Sequence, residues 1–169
     1  MNIFTVSFFG HRQIDNPLIV EKKLDEYISD LICSKEYVEF LVGRDGEFDK
    51  MAASAVRRAK KRYNYGNIFL ILILPYARAE FTNNEQAFLE YYDEVEICEK
   101  SSRAYFKAAI QIRNRAMVDR SDMVISYIQH QSGGAYKTVK YAEKVGKTII
   151  NIAEEIKSDI LQKLFLSIR

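Results

Sequence analysis

The chain has 169 residues with 25 basic and 23 acidic side chains, a net charge of +2, and this balance argues against nucleic acid or an anionic membrane as partner. The length suits one domain around one core, residues 1–169. The longest apolar run, Ile68 to Pro75, is far shorter than the roughly 20 residues of a membrane-spanning helix. Cys33 and Cys98 match no metal or redox spacing, and no secretory leader is recognisable, so the expected location is a reducing cytoplasm.

Ile3 to Phe9 is β-branched and aromatic, the composition of a first strand, and Asn16-Pro17 supplies a cap and a first-turn proline for the helix after it. Val20, Leu24, Tyr27, Ile28 and Leu31 recur along that helix at three- and four-residue spacing. Val38 to Val42 reads as the second strand. The next helix carries an apolar stripe of Met51, Ala52, Ala55, Val56 and Ala59 beneath a basic face of Lys50, Arg57, Arg58, Lys60, Lys61 and Arg62. Asn64 and Gly66 end it, and Ile68 to Leu74 reads as a strand buried on both faces. Pro75 to Glu99 lacks periodicity and is expected to be an irregular connection with one short helix. Helical spacing returns from Arg103 to Arg120. A fourth strand over Met123 to Ile128, a helix over Ala135 to Val145, a fifth strand over Thr148 to Ile152 and a helix over Glu154 to Ser167 complete the alternation.

The alternation predicts an α/β fold: a Rossmann-like, doubly wound, mainly parallel five-stranded sheet flanked by helices. In the strand order 3-2-1-4-5 the topological switch lies between the first and fourth strands, whose exit loops carry Gly10 and Gly133-Gly134.

Three glycine-bearing segments therefore converge on one expected ligand site. Gly133-Gly134 opens a helix, where backbone amides and the helix dipole suit an anion, with Ser132 and Thr138 as nearby hydroxyl donors. Gly43-Arg44-Asp45-Gly46 leads into another helix. There Arg44 is a candidate phosphate fork and Asp45 or Asp49 a ribose acceptor, unless the segment is a polar turn in which an aspartate caps the helix. Arg113 lies on an apolar stripe beside Asn114; either it points into the cleft to bind phosphate or ribose, or it snorkels to the rim and pairs with Asp119 or Asp122. His11 and Arg12 leave the first strand at the switch point as hydrogen-bond donor and anion anchor. His11 and His130 without acidic spacing are poor grounds for a metal site, and none is expected.

Phe9-Gly10-His11-Arg12, then Gly43-Arg44-Asp45-Gly46-Glu47-Phe48-Asp49, then Arg113-Asn114-Arg115 through Met117-Val118-Asp119 to Ser121-Asp122 and Gly133-Gly134, resemble in order and spacing the SLOG superfamily, in particular its small bacterial YpsA-like branch. The likeness runs from Phe4 to about Ile152. It implies a Rossmann-like sheet that binds a nucleotide or a relative of NAD or ADP-ribose, with no certain cofactor beyond such a ligand. The related LOG enzymes cleave N-glycosidic bonds of nucleoside monophosphates with an arginine, which Arg113 matches, and a glutamate after a Pro-Gly-Gly-x-Gly-Thr loop. That loop is incomplete here and Glu143 lies a turn too late, leaving Glu47, Asp45 or Asp49 as substitutes.

The leading expectation is a nucleotide-binding, sensor-type domain held by Gly10, His11, Arg12, Gly43, Arg44, Asp45, Gly46, Asp49, Arg113, Asn114, Ser132, Gly133, Gly134 and Thr138. The first alternative is a phosphoribohydrolase with Arg113, Glu47 and Asp45 as catalytic candidates. The second is a DNA-associated module like the DprA relatives, using the basic helix around Arg57 to Arg62. A homodimer or higher oligomer is expected from the resemblance, with Tyr91, Tyr92, Tyr105 and Phe106 as contact face or core.

Overall fold

The computed structural model describes residues 2–168. Its frame is a parallel sheet in which β1 (Ile3–Gly10), β2 (Tyr37–Val42) and β3 (Ile68–Leu74) run outward on one side, and β5 (Met123–Tyr127) and β6 (Thr148–Asn151) on the other. A further strand, β4 (Glu94–Ile97), pairs with β3 and makes the order β4-β3-β2-β1-β5-β6. The sheet thus has six strands rather than the expected five. The segment read as irregular contains α3 (Ala79–Asn83), α4 (Glu85–Tyr91), β4 and α5 (Glu99–Ser102). β4 escapes a hydrophobicity reading because it is short, exposed at its ends and carries Glu94 and Glu96, the charged composition that keeps a sheet edge from recruiting another strand.

Alternating side chains explain how both sheet faces are covered. Val6 and Phe8 of β1, Phe40 of β2, Leu70 and Leu72 of β3 and Ile125 of β5 share one core with α1 (Pro17–Ser34), α2 (Glu47–Tyr63) and α8 (Ile152–Ser167). Phe9, Leu41, Ile71, Ile73 and Val124 point the other way, towards α6 (Phe106–Arg120) and α7 (Gly133–Lys144). Parallel strands buried on both faces have to read as near-continuous apolar runs, and β3, Ile-Phe-Leu-Ile-Leu-Ile-Leu, does.

Helix boundaries follow local chemistry with small departures. Pro17 opens α1, but Asn16 adopts a left-handed conformation and makes no side-chain cap; its carbonyl instead accepts from Ile19 N and Val20 N. Asn64, also left-handed, and Gly66 close α2 as expected. Among the aromatic residues, Tyr92 is buried against Tyr91 and Phe88, while Tyr105 and Phe106 are exposed. Cys33 and Cys98 are unbridged. Among the described residues no helix is long and apolar enough to cross a membrane.

The elements that place the site are the first two βα units. A Cβ on Gly10 would lie 2.4 Å from Phe48 Cγ, so only glycine lets the buried first turn of α2 sit against the end of β1. The close approach brings the loop after β2 beside the loop after β1, where Glu47 N donates to Arg12 O at 3.1 Å.

Candidate functional site

The carboxyl ends of β1, β2 and β5 surround a cleft of about 590 Å³, within the size range of small-ligand sites. Gly10, His11 and Arg12 come from the first loop, Gly43, Asp45, Gly46 and Asp49 from the second, and Ser132, Gly133 and Gly134 from the start of α7. Arg113 and Asn114 of α6 complete it. Turns separated by more than a hundred residues thus meet at one sheet edge, where the strand order reverses. Arg44, Glu47 and Thr138 lie outside the lining. Arg44 is drawn away by Glu80 at 2.9 Å and lies over the Phe88 ring, so it is not a free phosphate fork. Glu47 accepts Ile14 N at 2.8 Å, and Thr138 is a buried support whose Oγ1 accepts from Asn114 Nδ2 at 3.1 Å.

Arg113 organises the floor. It is only 3% exposed, and its Nη1 donates to Ile73 O at 2.6 Å while Nη2 donates to Asp45 at 2.9 Å. Its partner is therefore neither Asp119, which accepts from Tyr141, nor Asp122, which accepts Thr5 N. Arg113 Nε is buried without a protein partner, leaving one strong donor unsatisfied in the wall of the cleft. Gly43 makes room for this group, since a Cβ there would meet Arg113 Nη1 at 2.8 Å and Asp49 Oδ2 at 2.9 Å.

The two aspartates are pushed in opposite directions. Burial alone would raise Asp45, but the guanidiniums of Arg113 and Arg78 outweigh it and hold the carboxyl below its ordinary value. Burial dominates at Asp49 and pushes it up to about 6 against the opposing charge of Arg113. Asp49 also accepts Asp45 N at 3.0 Å, tying the loop to the first turn of α2 in the manner of a capping aspartate. Asp45 and Glu47 are thus committed to structural contacts, which weakens them as acids for bond cleavage.

At the opposite wall, α7 begins without a side-chain cap, and Gly133 has φ of +89°. Its first amides are free to meet an anion at the positive end of the helix dipole. Arg12 is exposed at the mouth. Two participants lie outside the set of ligand-site residues expected from the sequence, where His130 is considered only as a metal ligand. His130 stacks on His11 with ring centroids 3.7 Å apart and planes 9° from parallel, and Gln111 Nε2 donates to Gly134 O at 3.1 Å. No local pattern announces the histidine pair, because its members come from different loops. Gln111 lies just ahead of Arg113 on α6, and that proximity was the available signal. Burial and the neighbouring His130 both lower the pKa of His11. Among the described residues no group of three or more His, Cys, Asp or Glu side chains is placed to hold a metal ion.

The basic face of α2 is neutralised only in part, with Lys50, Lys61 and Arg62 exposed. Arg58 pairs with Glu21 and Asp25, Lys60 pairs with Asp93, and Arg57 lies over Tyr91.

No protein-family model and no curated protein matches the chain. Solved structures do. DNA processing protein A (DprA) from Streptococcus pneumoniae superposes with a TM-score of 0.61 at 14% identity over 87% of this chain and 49% of that one. DNA processing protein A from Helicobacter pylori, described for its unique single-stranded DNA binding mode, superposes with a TM-score of 0.61 at 16% identity over 92% of this chain and 72% of that one. The chain thus spans about half the length of the pneumococcal protein. The similarity to the Helicobacter protein, which is described as binding single-stranded DNA, corrects the expectation that nucleic acid is an unlikely partner. A near-neutral total is a poor guide because phosphates respond to local amides and guanidiniums rather than to net charge. What the sequence order of glycine loops suggested and the superpositions support is a DprA-like α/β fold with a parallel sheet flanked by helices.

Proposed function

We propose that this chain is a SLOG-type domain that binds single-stranded DNA along the carboxyl edge of its sheet, with one phosphate seated at the start of α7. The observation that carries the reading is the uncapped Gly133-Gly134 helix start, opening into the same cleft as a buried guanidinium with an unsatisfied Nε. The exposed helix start supplies N–H donors at fixed positions, the Arg113 guanidinium adds positive charge behind the lining, and Arg12 adds a charge at the mouth. The fold shared with the Helicobacter DNA-binding protein supports the choice of a strand over a free nucleotide. The pairing of Arg58 and Lys60 with carboxylates favours the cleft over the basic helix as the contact surface.

Fluorescence anisotropy of a labelled oligothymidylate tests the reading, with AMP, NAD and ADP-ribose as competitors and thermal shift as a second readout. Binding that weakens with salt is expected, and Arg12→Ala should weaken it and reduce the salt slope by about one. Failure of the folded protein to bind the oligonucleotide at low salt overturns the reading. Stabilisation by ADP-ribose or a mononucleotide, without oligonucleotide binding, would establish a free-ligand site instead.

A further inference from the structure

His130 sits at the junction of two cavities. It lines the cleft described above and also a second one of about 580 Å³ between α7 and α8. Its ring is immobilised from behind and from one edge. Behind it lies buried His11, whose Nε2 accepts from both Gln129 N at 3.0 Å and His130 N at 3.3 Å. Those two bonds require the His11 proton on Nδ1 and fix the plane of that ring. At the edge, His130 Nδ1 contacts Ser132 Oγ at 2.9 Å. One face is therefore covered by His11 in a near-parallel stack, while the residue as a whole remains exposed.

A flat aromatic ring held from behind, with its remaining surface open beside a cleft, is already ordered before any partner arrives. A planar ligand ring can stack on it without the cost of freezing a mobile side chain. The candidate phosphate seat is close in the chain, since Gly133 follows Ser132 directly at the start of α7. A nucleotide carries both a planar ring and a phosphate, and stacking on a protein aromatic tolerates any base.

Resting on the single-stranded DNA reading, we infer that the outer face of His130 is the stacking seat for one base of the bound strand, next to the phosphate seat at Gly133-Gly134. His11 is a positioning residue that props this ring. A His pair serving only to clasp the loop would show no dependence on whether the bound strand carries bases, and this separates the two roles.

The test compares an oligonucleotide bearing 2-aminopurine with an abasic oligonucleotide of equal length, using the wild-type chain, His130→Ala and His130→Phe. Expected are quenching of 2-aminopurine on binding to the wild type, roughly tenfold weaker binding of the base-bearing strand by His130→Ala, little change for the abasic strand, and recovery in His130→Phe. The inference is overturned if both strands bind the wild type and His130→Ala affects them equally or not at all. It is overturned also if His130→Phe binds the base-bearing strand no better than His130→Ala. If neither strand binds the folded wild-type protein, the DNA-binding reading itself fails, and the base seat with it.

Discussion

Truncating Arg113 to alanine isolates the charge cluster beneath the cleft. The substitution removes the donor to Ile73 O at 2.6 Å and the ion pair to Asp45 at 2.9 Å from a residue only 3% exposed. An orphaned buried carbonyl costs about 1–3 kcal/mol, and breaking a buried ion pair by removing one partner costs about 3–5 kcal/mol. Asp45 keeps Arg78 at 2.8 Å and remains partly solvated, which places the total near the lower end, about 3 kcal/mol. A domain with roughly 5–15 kcal/mol of stability survives that loss with a clearly lowered urea midpoint. The loss should also depend on pH. Arg113 opposes the burial that pushes Asp49 up to about 6, so without it the carboxyl takes up a proton more readily and the variant recovers relative stability in acid. Urea titrations followed by circular dichroism at pH 8 and pH 5 measure both effects. A loss under about 1 kcal/mol at pH 8, or an equal loss at the two pH values, would refute the assignment of Arg113 as the counter-charge of this cluster.

Gly10→Ala should destabilise by about 1–3 kcal/mol or more, read as a lower urea midpoint, because the added methyl would lie 2.4 Å from the Cγ of Phe48 on a packed helix; unchanged stability would mean that α2 is free to shift. Asn151 accepts Ile128 N at 2.9 Å, donates to Ile128 O at 3.0 Å and caps Ala153 N at 3.3 Å, so Asn151→Ala should cost about 1–3 kcal/mol and speed hydrogen exchange at Ile128. Protection of that amide unchanged in the variant would count against the tether. The pH profile contains two opposing contributions. Asp49, raised from 3.8 to about 6, adds stability that is complete below 3.8 and lost as pH rises through about 6. His11, lowered from 6.5, adds stability that is present above 6.5 and lost as pH falls below it. Asp49→Asn should therefore turn the stability slope between pH 5 and 7 more positive than in the wild type, and identical slopes would show that Asp49 does not titrate there.

Much of this protein follows from patterns only a few residues long. The apolar runs at Ile3, Val38, Ile68, Met123 and Thr148 and the helical stripes between them specify the parallel core, because burial on both sheet faces demands continuous hydrophobicity. The convergence of Gly10, Gly43 and Gly133 was legible for a related reason: in a parallel sheet every strand points its carboxyl end to the same edge, and the strand order then puts the switch between β1 and β5. Partner choice was not legible. Arg44 faces Glu80 rather than the cleft because α3 packs nearby, and Arg113 meets Asp45 rather than Asp119 because the chain folds a distant loop beneath α6. The same holds for the stacked His11 and His130, and for β4, whose acidic side chains suit an edge and therefore carry no buried pattern. Periodicity records which face of an element turns inward; which charges and rings meet there is decided by contacts between segments far apart in the chain, and these exist only once the tertiary structure has formed.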